Sequence, residues 1–222
     1  MRHTPVFELT DPAEIVRLID ENPWATIVSS TSSGLVASHY PVLVDRSQGE
    51  PGAPDAPPLA IVSHVGRPDE RLHEWAAGST AEVMVVIQGP HGYISPGWYD
   101  ANPAVPTWNF VTAHLYGVPE LLEPDENLRV LEQLVDHFED PMPEPRRMRG
   151  TLENSAYADR ISAGTVGFRL PITRFVAKVK MSQNRPPETI TRIVSELESS
   201  GPYASPTLAA EVRRANPEVF GA

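Results

Sequence analysis

Residues 88–117 read QGPHGYISPGWYDANPAVPTWNFVTAHLYG, and this stretch decides how the rest of the chain is interpreted. It brings two tryptophans, three tyrosines and two histidines together, interrupted by glycine and proline. Strands that only build a core are made mostly of alternating aliphatic residues. Rigid aromatic rings mixed with a few hydrogen-bonding groups are instead typical of a site for a flat, conjugated ligand. The stretch therefore predicts a binding surface for a planar molecule.

The first helix has a start and a stop that can be read from the sequence. Asp11 is a capping acid, Pro12 lies in the first turn, and Glu14 follows the cap by three residues. Asn22-Pro23 is expected to end this helix.

The rest of the chain divides into short strands and short helices. Apolar runs and alternation predict strands at residues 24–29, 35–44, 59–65, 82–87, 111–122, 164–170 and 174–180. Helical spacing predicts helices at residues 68–77, 125–138, 186–199 and 206–215. Proline-rich composition predicts loops at residues 45–58 and 139–150. Two finer predictions are that the strand at 82–87 is buried on both faces, and that the helix at 125–138 buries Leu128, Leu131, Leu134, Val135 and Phe138.

This order of elements predicts an α+β fold built around a small antiparallel barrel. We expect a single domain over residues 1–222, with a helical C-terminal extension from about residue 186. Gly89-Pro90 and Gly92 are turn formers, and the chain has no glycine-rich phosphate loop of the Walker or dinucleotide type.

Composition excludes several classes of protein. The 222 residues carry 18 basic and 29 acidic side chains, a net charge of −11, which argues against general affinity for nucleic-acid phosphates. The absence of cysteine excludes disulfides, thiolate metal ligands and cysteine nucleophiles. No run of 18 apolar residues is present, and the first residues lack the apolar stretch of a secretory signal. A soluble, cytoplasmic protein without membrane contact is expected.

Direct DNA binding is not expected. The helix predicted at 186–199 has Arg192 as its only basic residue and also carries Glu188, Glu196 and Glu198. A recognition helix would normally present a basic face. The basic cluster at residues 146–149 lies in a proline-rich loop among acids and is interpreted as a solvated loop.

Six blocks, in order, carry a family resemblance: WATIV, ASHYPV, IQGPHGYISPGWY, VPTWNFVTAHLYG, GTVGF and KMSQNR. Together they resemble the FMN-binding negative transcriptional regulators, of the type that acts on sporulation and protease synthesis, from about Val6 to Arg185. The resemblance implies a split β-barrel with flanking helices, usually a homodimer that holds its cofactor near the subunit interface.

One segment departs from the family pattern. After the third strand the family usually carries histidine, an apolar residue, Ala-Arg, a small residue, Asn-Pro and an aromatic. Here residues 64–70 read HVGRPDE, so the histidine is kept while the asparagine and the aromatic are missing. A similar branch of the family, the piperazate synthases, binds haem in place of FMN, and the departure favours this branch.

The resemblance therefore implies a haem-dependent cyclase that forms the N–N bond of piperazate from the amino acid N5-hydroxy-L-ornithine. His64 is the candidate iron ligand, because a neutral imidazole is a standard axial ligand of haem. Two alternatives stay open: an FMN-binding regulator without catalytic turnover, and an FMN-dependent oxidoreductase on the same barrel.

The other candidate site residues follow from residue type and from the matching blocks. The planar ring system is expected against Trp98, Tyr99 and Trp108. Hydrogen bonds to the cofactor edge are expected from Thr107 and Asn109. The propionates of haem or the phosphate of FMN need cationic partners, for which the candidates are Arg67, Lys180 and Arg185, with Gln183 and Asn184 beside them.

No residue stands out as the acid–base group, and Tyr93 and His39 are the candidates. Alternation places His39 on one strand face with Ala37 and Pro41, where it is either a hydrogen-bonded core histidine or part of a pocket wall. His114 has the same ambiguity and is interpreted as structural.

Overall fold

The computed structural model describes residues 1–49, 51, 58–75, 80–99 and 103–221. The chain divides into two compact units. Unit 1 consists of residues 1–10, 88–113 and 176–222, and unit 2 consists of residues 11–87 and 114–175. Three strands pass from one unit into the other, so each of them contributes one segment to each unit.

Unit 1 combines the edge of a sheet with the C-terminal helices. Its strands are β1 (Glu8–Leu9), the end of β6 (Val83–Ile94), the start of β7 (Thr107–Gly117) and most of β10 (Arg174–Lys180), in the order β1-β10-β7-β6. β1 is antiparallel to β10, with Glu8 opposite Lys178. The helices are α5 (Pro187–Glu198), α6 (Pro206–Arg214) and α7 (Pro217–Phe220).

The helices of unit 1 pack through the apolar face predicted for α5. Ile190, Ile193, Val194 and Leu197 are all buried, as the helical spacing requires. α6 lies against β6, because a Cβ atom on Gly92 would come within 2.8 Å of Leu208 Cδ2.

Unit 2 contains a meander and a second, four-stranded sheet. β2 (Trp24–Thr31) pairs with β3 (Gly34–Pro41) through a tight hairpin and with residues 84–87 of β6. The second sheet has the order β4-β5-β9-β8 and consists of β4 (Leu43–Val44), β5 (Ala60–Gly66), β9 (Thr165–Pro171) and β8 (Glu120–Leu121). β5 and β9 are antiparallel, with His64 opposite Gly167.

Four helices flank the sheets of unit 2: α1 (Pro12–Glu21), α2 (Arg67–Leu72), α3 (Pro124–Glu139) and α4 (Leu152–Ser162). Asp11 caps α1 as predicted, and its side chain accepts a hydrogen bond from the Ala13 amide. α3 packs on the second sheet through Val130 and Leu134, which meet Val62. None of the helices in the described ranges is long and apolar enough to cross a membrane.

Several local predictions need correction. The strand at 82–87 is not buried on both faces, because Val83, Val85 and Ile87 are buried while the residues between them are only half-buried. It also continues into the aromatic stretch as far as Ile94. The predicted strand at 35–44 is divided between β3 and β4, which belong to different sheets.

The helices also differ from prediction in detail. The buried face of α3 is formed by Asn127, Val130 and Leu134, and the predicted Phe138 is exposed. α4 and α7 were not predicted. The helix predicted at 68–77 starts and ends earlier, at Arg67 and Leu72, and its residues 76–77 lie outside the described residues. The predicted loop at 45–58 lies partly outside them as well.

A side chain in place of Gly117 would clash with neighbouring backbone. A Cβ atom there would lie 2.2 Å from the carbonyl oxygen of Pro171 and 3.1 Å from Leu170 Cδ1. The obstacle is mainly backbone, so rotation of a side chain cannot relieve it. This glycine therefore permits the close approach of β7 to the end of β9.

Replacement of Gly117 by alanine should lower the free energy of unfolding by about 3 kcal/mol, because overpacking forces the backbone to move. Urea unfolding followed by circular dichroism measures the change. Gly66→Ala is the matched control, since its Cβ atom would meet its nearest atom at an ordinary 3.5 Å. Equal stabilities of the two variants would contradict this packing.

Candidate functional site

The loop that follows β10 is fixed by buried polar groups of unit 1. Asn109 is fully buried, and its Nδ2 donates to Ser182 Oγ over 3.0 Å, while Asn109 Oδ1 lies 3.3 Å from the same hydroxyl. Ser182 has a φ of 66°, in the left-handed region that residues other than glycine rarely adopt. The Gln183 amide accepts from the Met181 N–H at 2.7 Å and donates to the Val179 carbonyl at 2.9 Å. These bonds hold the loop in one conformation.

This loop, residues 181–185, brings two cations together. Lys180 ends β10, and its Nζ donates a hydrogen bond to Thr107 Oγ1. Burial lowers the pKa of Lys180 below its ordinary 10.5, and the positive charges of Lys178 and Arg185 lower it further. Among the described residues, neither Lys180 nor Arg185 has a carboxylate as an ion-pair partner. The arrangement is that of a site for an anion.

Arg185 also covers an aromatic ring. Its guanidinium carbon lies 4.7 Å from the ring centroid of Tyr99, which is 8% exposed. Burial raises the pKa of Tyr99 above 10.0, and the charge of Arg185 opposes this rise. The Tyr99 hydroxyl is buried beside the Arg185 guanidinium. Trp98, which ends the short 3-10 helix before Tyr99, is half-buried, and Asn184 is exposed.

A second aromatic group of unit 1 consists of Tyr93, Trp108 and Tyr203. The rings of Tyr93 and Trp108 meet edge to face with centroids 6.3 Å apart, and Tyr203 lies 4.9 Å from Tyr93. Trp108 is 55% exposed and Tyr203 is 51% exposed. Successive residues of a strand point to opposite faces, so Trp108 lies on the face of β7 that is turned away from Thr107 and Asn109. The residues predicted to line one wall are therefore divided between two faces.

His64, the candidate iron ligand, lies on β5 in unit 2. Its ring is half-buried and meets the Tyr40 ring edge to face at 5.6 Å. Nδ1 is buried, and no hydrogen-bond partner for it exists among the described residues. Burial lowers the pKa of His64 below 6.5, so the imidazole is neutral at physiological pH. A neutral imidazole with an unpaired nitrogen is chemically able to accept a metal.

Tyr40 joins the end of β5 to α2. Its hydroxyl donates to Asp69 Oδ2 at 2.5 Å and accepts from the Gly66 N–H at 3.0 Å. Burial raises the pKa of Tyr40, and the hydrogen bond to Asp69 raises it further, so the phenol stays protonated. Asp69 belongs to the segment that departs from the family pattern, and here it fixes the ring that packs on His64.

Arg67 and His39 have different surroundings within unit 2. Arg67 begins α2, and its Nε donates to the Ala163 carbonyl at 2.6 Å. His39 is exposed on β3, where its Nδ1 lies 3.0 Å from Thr26 Oγ1 and its ring stacks on Trp24. His39 is thus neither a core histidine nor enclosed by other residues of its unit.

The predicted site residues are distributed over the two units. Unit 2 contains His39, His64 and Arg67. Unit 1 contains the others: Tyr93, Trp98, Tyr99, Thr107, Trp108, Asn109, Lys180, Gln183, Asn184 and Arg185. Sequence reasoning missed the contributions of Lys178, Ser182, Tyr203, Tyr40 and Asp69. Ser182 lies inside the SQNR block and could have been noticed there. No signal in the sequence indicates that Tyr203 contacts Tyr93.

Solved structures define the class of fold to which this chain belongs. It is similar to a FAD- and haem-binding protein from Mycobacterium smegmatis, with a TM-score of 0.55 and 19% identity over 83% of this chain and 78% of that one. It is also similar to the flavocytochrome Anf3 from Azotobacter vinelandii, with a TM-score of 0.51 and 17% identity over 77% and 68% of the two chains. The prediction of an α+β split β-barrel with flanking helices is confirmed.

Sequence comparison gives the family. The model described as "Putative FMN-binding domain" matches residues 1–174, and the chain belongs to this family. It is 29% identical over 199 residues to the protease synthase and sporulation protein PAI 2 of Bacillus subtilis, with 87% of each chain covered.

Three histidines of unit 2, which are buried or half-buried, give a prediction about pH. Burial lowers the pKa values of His64, His73 and His114 below 6.5. Below that pH the unfolded chain binds protons that the folded protein does not, so stability falls as the pH falls through the folded pKa values. The free energy of unfolding without ligand should decrease from about pH 7 to about pH 5, above the range of ordinary carboxylates. His64→Asn should flatten this dependence, and a stability that rises toward pH 5 would contradict it.

Proposed function

We propose that this protein binds FMN and that Lys180 and Arg185 hold the phosphate of the flavin. The observation that carries the proposal is the pair of cations at the 181–185 loop, which has no carboxylate partner among the described residues. Two like charges kept close together, one of them partly buried, are unfavourable until an anion arrives. Membership of the FMN-binding family supports FMN as that anion.

The residue types around the pair fit a phosphate monoester. Lys180 offers an ammonium and Arg185 a planar guanidinium, which can bind two phosphate oxygens at once. Thr107 and Tyr99 add neutral hydroxyl groups of the same unit. Bound FMN would supply hydride or single-electron transfer, a chemistry that the side chains lack. The protein's own contribution would be to bind and orient the phosphate.

A regulatory role is supported by sequence similarity and not by a DNA-binding surface. The similarity to PAI 2 supports a regulatory role, yet α5 carries Glu188, Glu196 and Glu198 and offers no basic face for DNA. We infer that flavin binding is the activity of this chain and that any regulation acts through it. The predicted homodimer, amino-acid substrate and cytoplasmic location stay predictions.

Riboflavin, which lacks the phosphate, provides a matched probe for this site. The wild-type protein should bind FMN roughly 10–100 times more tightly than riboflavin, because a charge-assisted contact contributes about 1.5–3 kcal/mol. Lys180→Met and Arg185→Met should remove most of this difference while leaving riboflavin affinity nearly unchanged. Fluorescence titration of each flavin measures both affinities.

Arg2→Met is the control for net charge, since Arg2 is exposed in the same unit and should keep the preference for FMN. Equal affinities of the wild-type protein for FMN and riboflavin would overturn the phosphate site. Loss of both flavins in Lys180→Met, with the fold intact, would show that the lysine acts on something other than the phosphate.

Haem binding at His64 is the second candidate, favoured by the neutral imidazole of this residue. The fit is incomplete. A metal-bound imidazole usually donates its second ring N–H to a carboxylate or a carbonyl, and Nδ1 of His64 has no such acceptor among the described residues. This is why the haem site ranks below the cation pair of unit 1.

With haem at His64, the proposed reaction is the piperazate synthase type of N–N bond formation. The α-amine nitrogen of N5-hydroxy-L-ornithine attacks N5, the N–O bond breaks, and the hydroxyl leaves as water with a proton from the amine, so no external oxidant is needed. Haem iron would supply a Lewis acid for the departing oxygen. The role of the chain would be to hold the substrate in a ring-forming conformation, an entropic contribution. Of the two proton-carrier candidates, His39 is exposed and hydrogen-bonded to Thr26, and Tyr93 packs against Trp108 and Tyr203; both roles stay predictions.

Absorption spectroscopy tests the second candidate. If His64 binds haem, titration with haem should give a Soret band typical of imidazole ligation, and His64→Ala should lose it. His137→Ala, on the exposed side of α3, is the matched control and should keep the band. An identical spectrum in the wild-type protein and His64→Ala would eliminate His64 as the ligand.

A further inference from the structure

A cavity of about 430 Å³ lies within unit 2, apart from the residues assigned to either cofactor candidate except Arg67. It is bounded by α2, α3, α4 and the β8–β9 edge of the second sheet. Its polar wall contains Arg67, Glu70, Asn127 and Thr165. Its apolar wall is formed by side chains such as Leu121, Leu122, Pro124 and Val166. The cavity has the size and the mixed lining of a small-molecule site.

Asn127 is the residue that points to a ligand. It is 4% exposed although it belongs to a helix whose neighbouring turns are solvated. Its Nδ2 donates to Thr165 Oγ1 at 3.0 Å, but Oδ1 is buried and receives no hydrogen bond from a described residue. An unpaired buried acceptor costs about 1–3 kcal/mol, so an amide kept in this state requires an explanation.

Gly167 packs directly against that oxygen. A Cβ atom at this position would lie 2.7 Å from Asn127 Oδ1 and 3.0 Å from Asn127 Cβ. Any other residue on β9 would displace the amide or cover its oxygen. Gly167 and Asn127 both line the cavity, so the unpaired acceptor and the bare backbone belong to one concave surface.

Charges of both signs border the same cavity. The Arg67 side chain uses Nε for the Ala163 carbonyl, and its two terminal NH₂ groups have no partner among the described residues. Glu70 lies on the same short helix and has no ion-pair partner among the described residues. Asp159 is also at the wall but is already paired with Arg149 at 2.9 Å. An available guanidinium, an available carboxylate and an unpaired amide oxygen complement a zwitterion.

We propose that this cavity binds an α-amino acid with an aliphatic side chain. The carboxylate of the ligand binds the terminal nitrogens of Arg67. The ammonium group is neutralised by Glu70, and it donates to Asn127 Oδ1 once the amide turns from Gly167 toward the cavity. The side chain packs on the apolar wall formed by Leu121, Leu122 and Val166. This site goes beyond cofactor binding and gives the protein a means to sense an amino acid.

Calorimetric titration with L-leucine, L-norleucine and L-methionine tests the proposal on the full chain. At least one of them should bind, and two analogues of L-leucine should bind at least roughly 10 times more weakly: 4-methylpentanoate, which lacks the amine, and 3-methylbutylamine, which lacks the carboxylate. Absence of binding by all three amino acids would overturn the proposal and leave Asn127 Oδ1 to an ordered water. Equal affinity for either analogue would overturn the zwitterion assignment.

Variants locate the site. Arg67→Met should weaken binding of the best amino acid by roughly 10–100-fold, since one charge-assisted contact is lost. Its side chain is exposed, so the fold should survive. Arg129→Met, exposed on α3 and outside the cavity lining, is the matched control and should bind normally. Undiminished binding by Arg67→Met would contradict the site.

Two further variants separate this inference from the others. Asn127→Leu should also lose binding, and its circular dichroism shows whether α3 stays folded. Lys180→Met should bind the amino acid as the wild-type protein does, whether or not FMN binding depends on Lys180. Loss of amino-acid binding in Lys180→Met would place the ligand in unit 1 and overturn the assignment to this cavity.

Discussion

The reciprocal contact between Asn109 and Ser182 is the constraint on which unit 1 depends. It ties a fully buried amide of β7 to a serine whose backbone is left-handed. A non-glycine residue in this conformation is about 1–2 kcal/mol less stable than in the ordinary helical region, so the surrounding hydrogen bonds must hold it there. The contact between Asn109 and Ser182 thereby fixes Arg185 at the end of the loop. There Arg185 is close enough to Lys180 for its charge to lower the pKa of Lys180.

The cation pair, Lys180 and Arg185, is a local positive site in a protein of negative net charge. With a net charge of −11, the chain as a whole repels an anion such as FMN. At physiological ionic strength, charges beyond about 8–10 Å are largely screened, so the nearest cations decide whether an anion binds. A local positive site in an acidic protein gives selectivity by short-range contacts and suppresses general affinity for polyanions.

Much of the fold could be predicted, because the signals are local. Neighbouring residues in the sequence determine three features: the cap at Asp11, the apolar face of α5 and the limits of β10. All three predictions are confirmed. α4 was missed for an equally physical reason. Ala158 is its one buried residue while Leu152 is 92% exposed, so it shows no apolar periodicity that could reveal a helix.

The site was less predictable because it depends on strand parity and on distant pairs. The strand predicted at residues 111–122 left Trp108 and Asn109 outside it. In the structure β7 starts at Thr107, so both residues belong to the strand and point to opposite faces. Asn109 was expected at a cofactor edge, whereas both ends of its amide face Ser182. The burial of Asn127 depends on Gly167, forty positions later, so the residues around Asn127 in the sequence do not reveal it.

The chain has two lysines, Lys178 and Lys180, so the protonation of the phosphate site can be measured directly at the side-chain nitrogens. Nitrogen NMR of protein labelled at lysine Nζ, with Lys178→Arg for assignment, measures the pKa of Lys180 with and without FMN. The pKa of Lys180 should lie below the ordinary 10.5 in the free protein and should rise when FMN binds, because the phosphate restores favourable charge. A Lys180 pKa that stays unchanged while FMN is bound would show that Lys180 does not hold the phosphate.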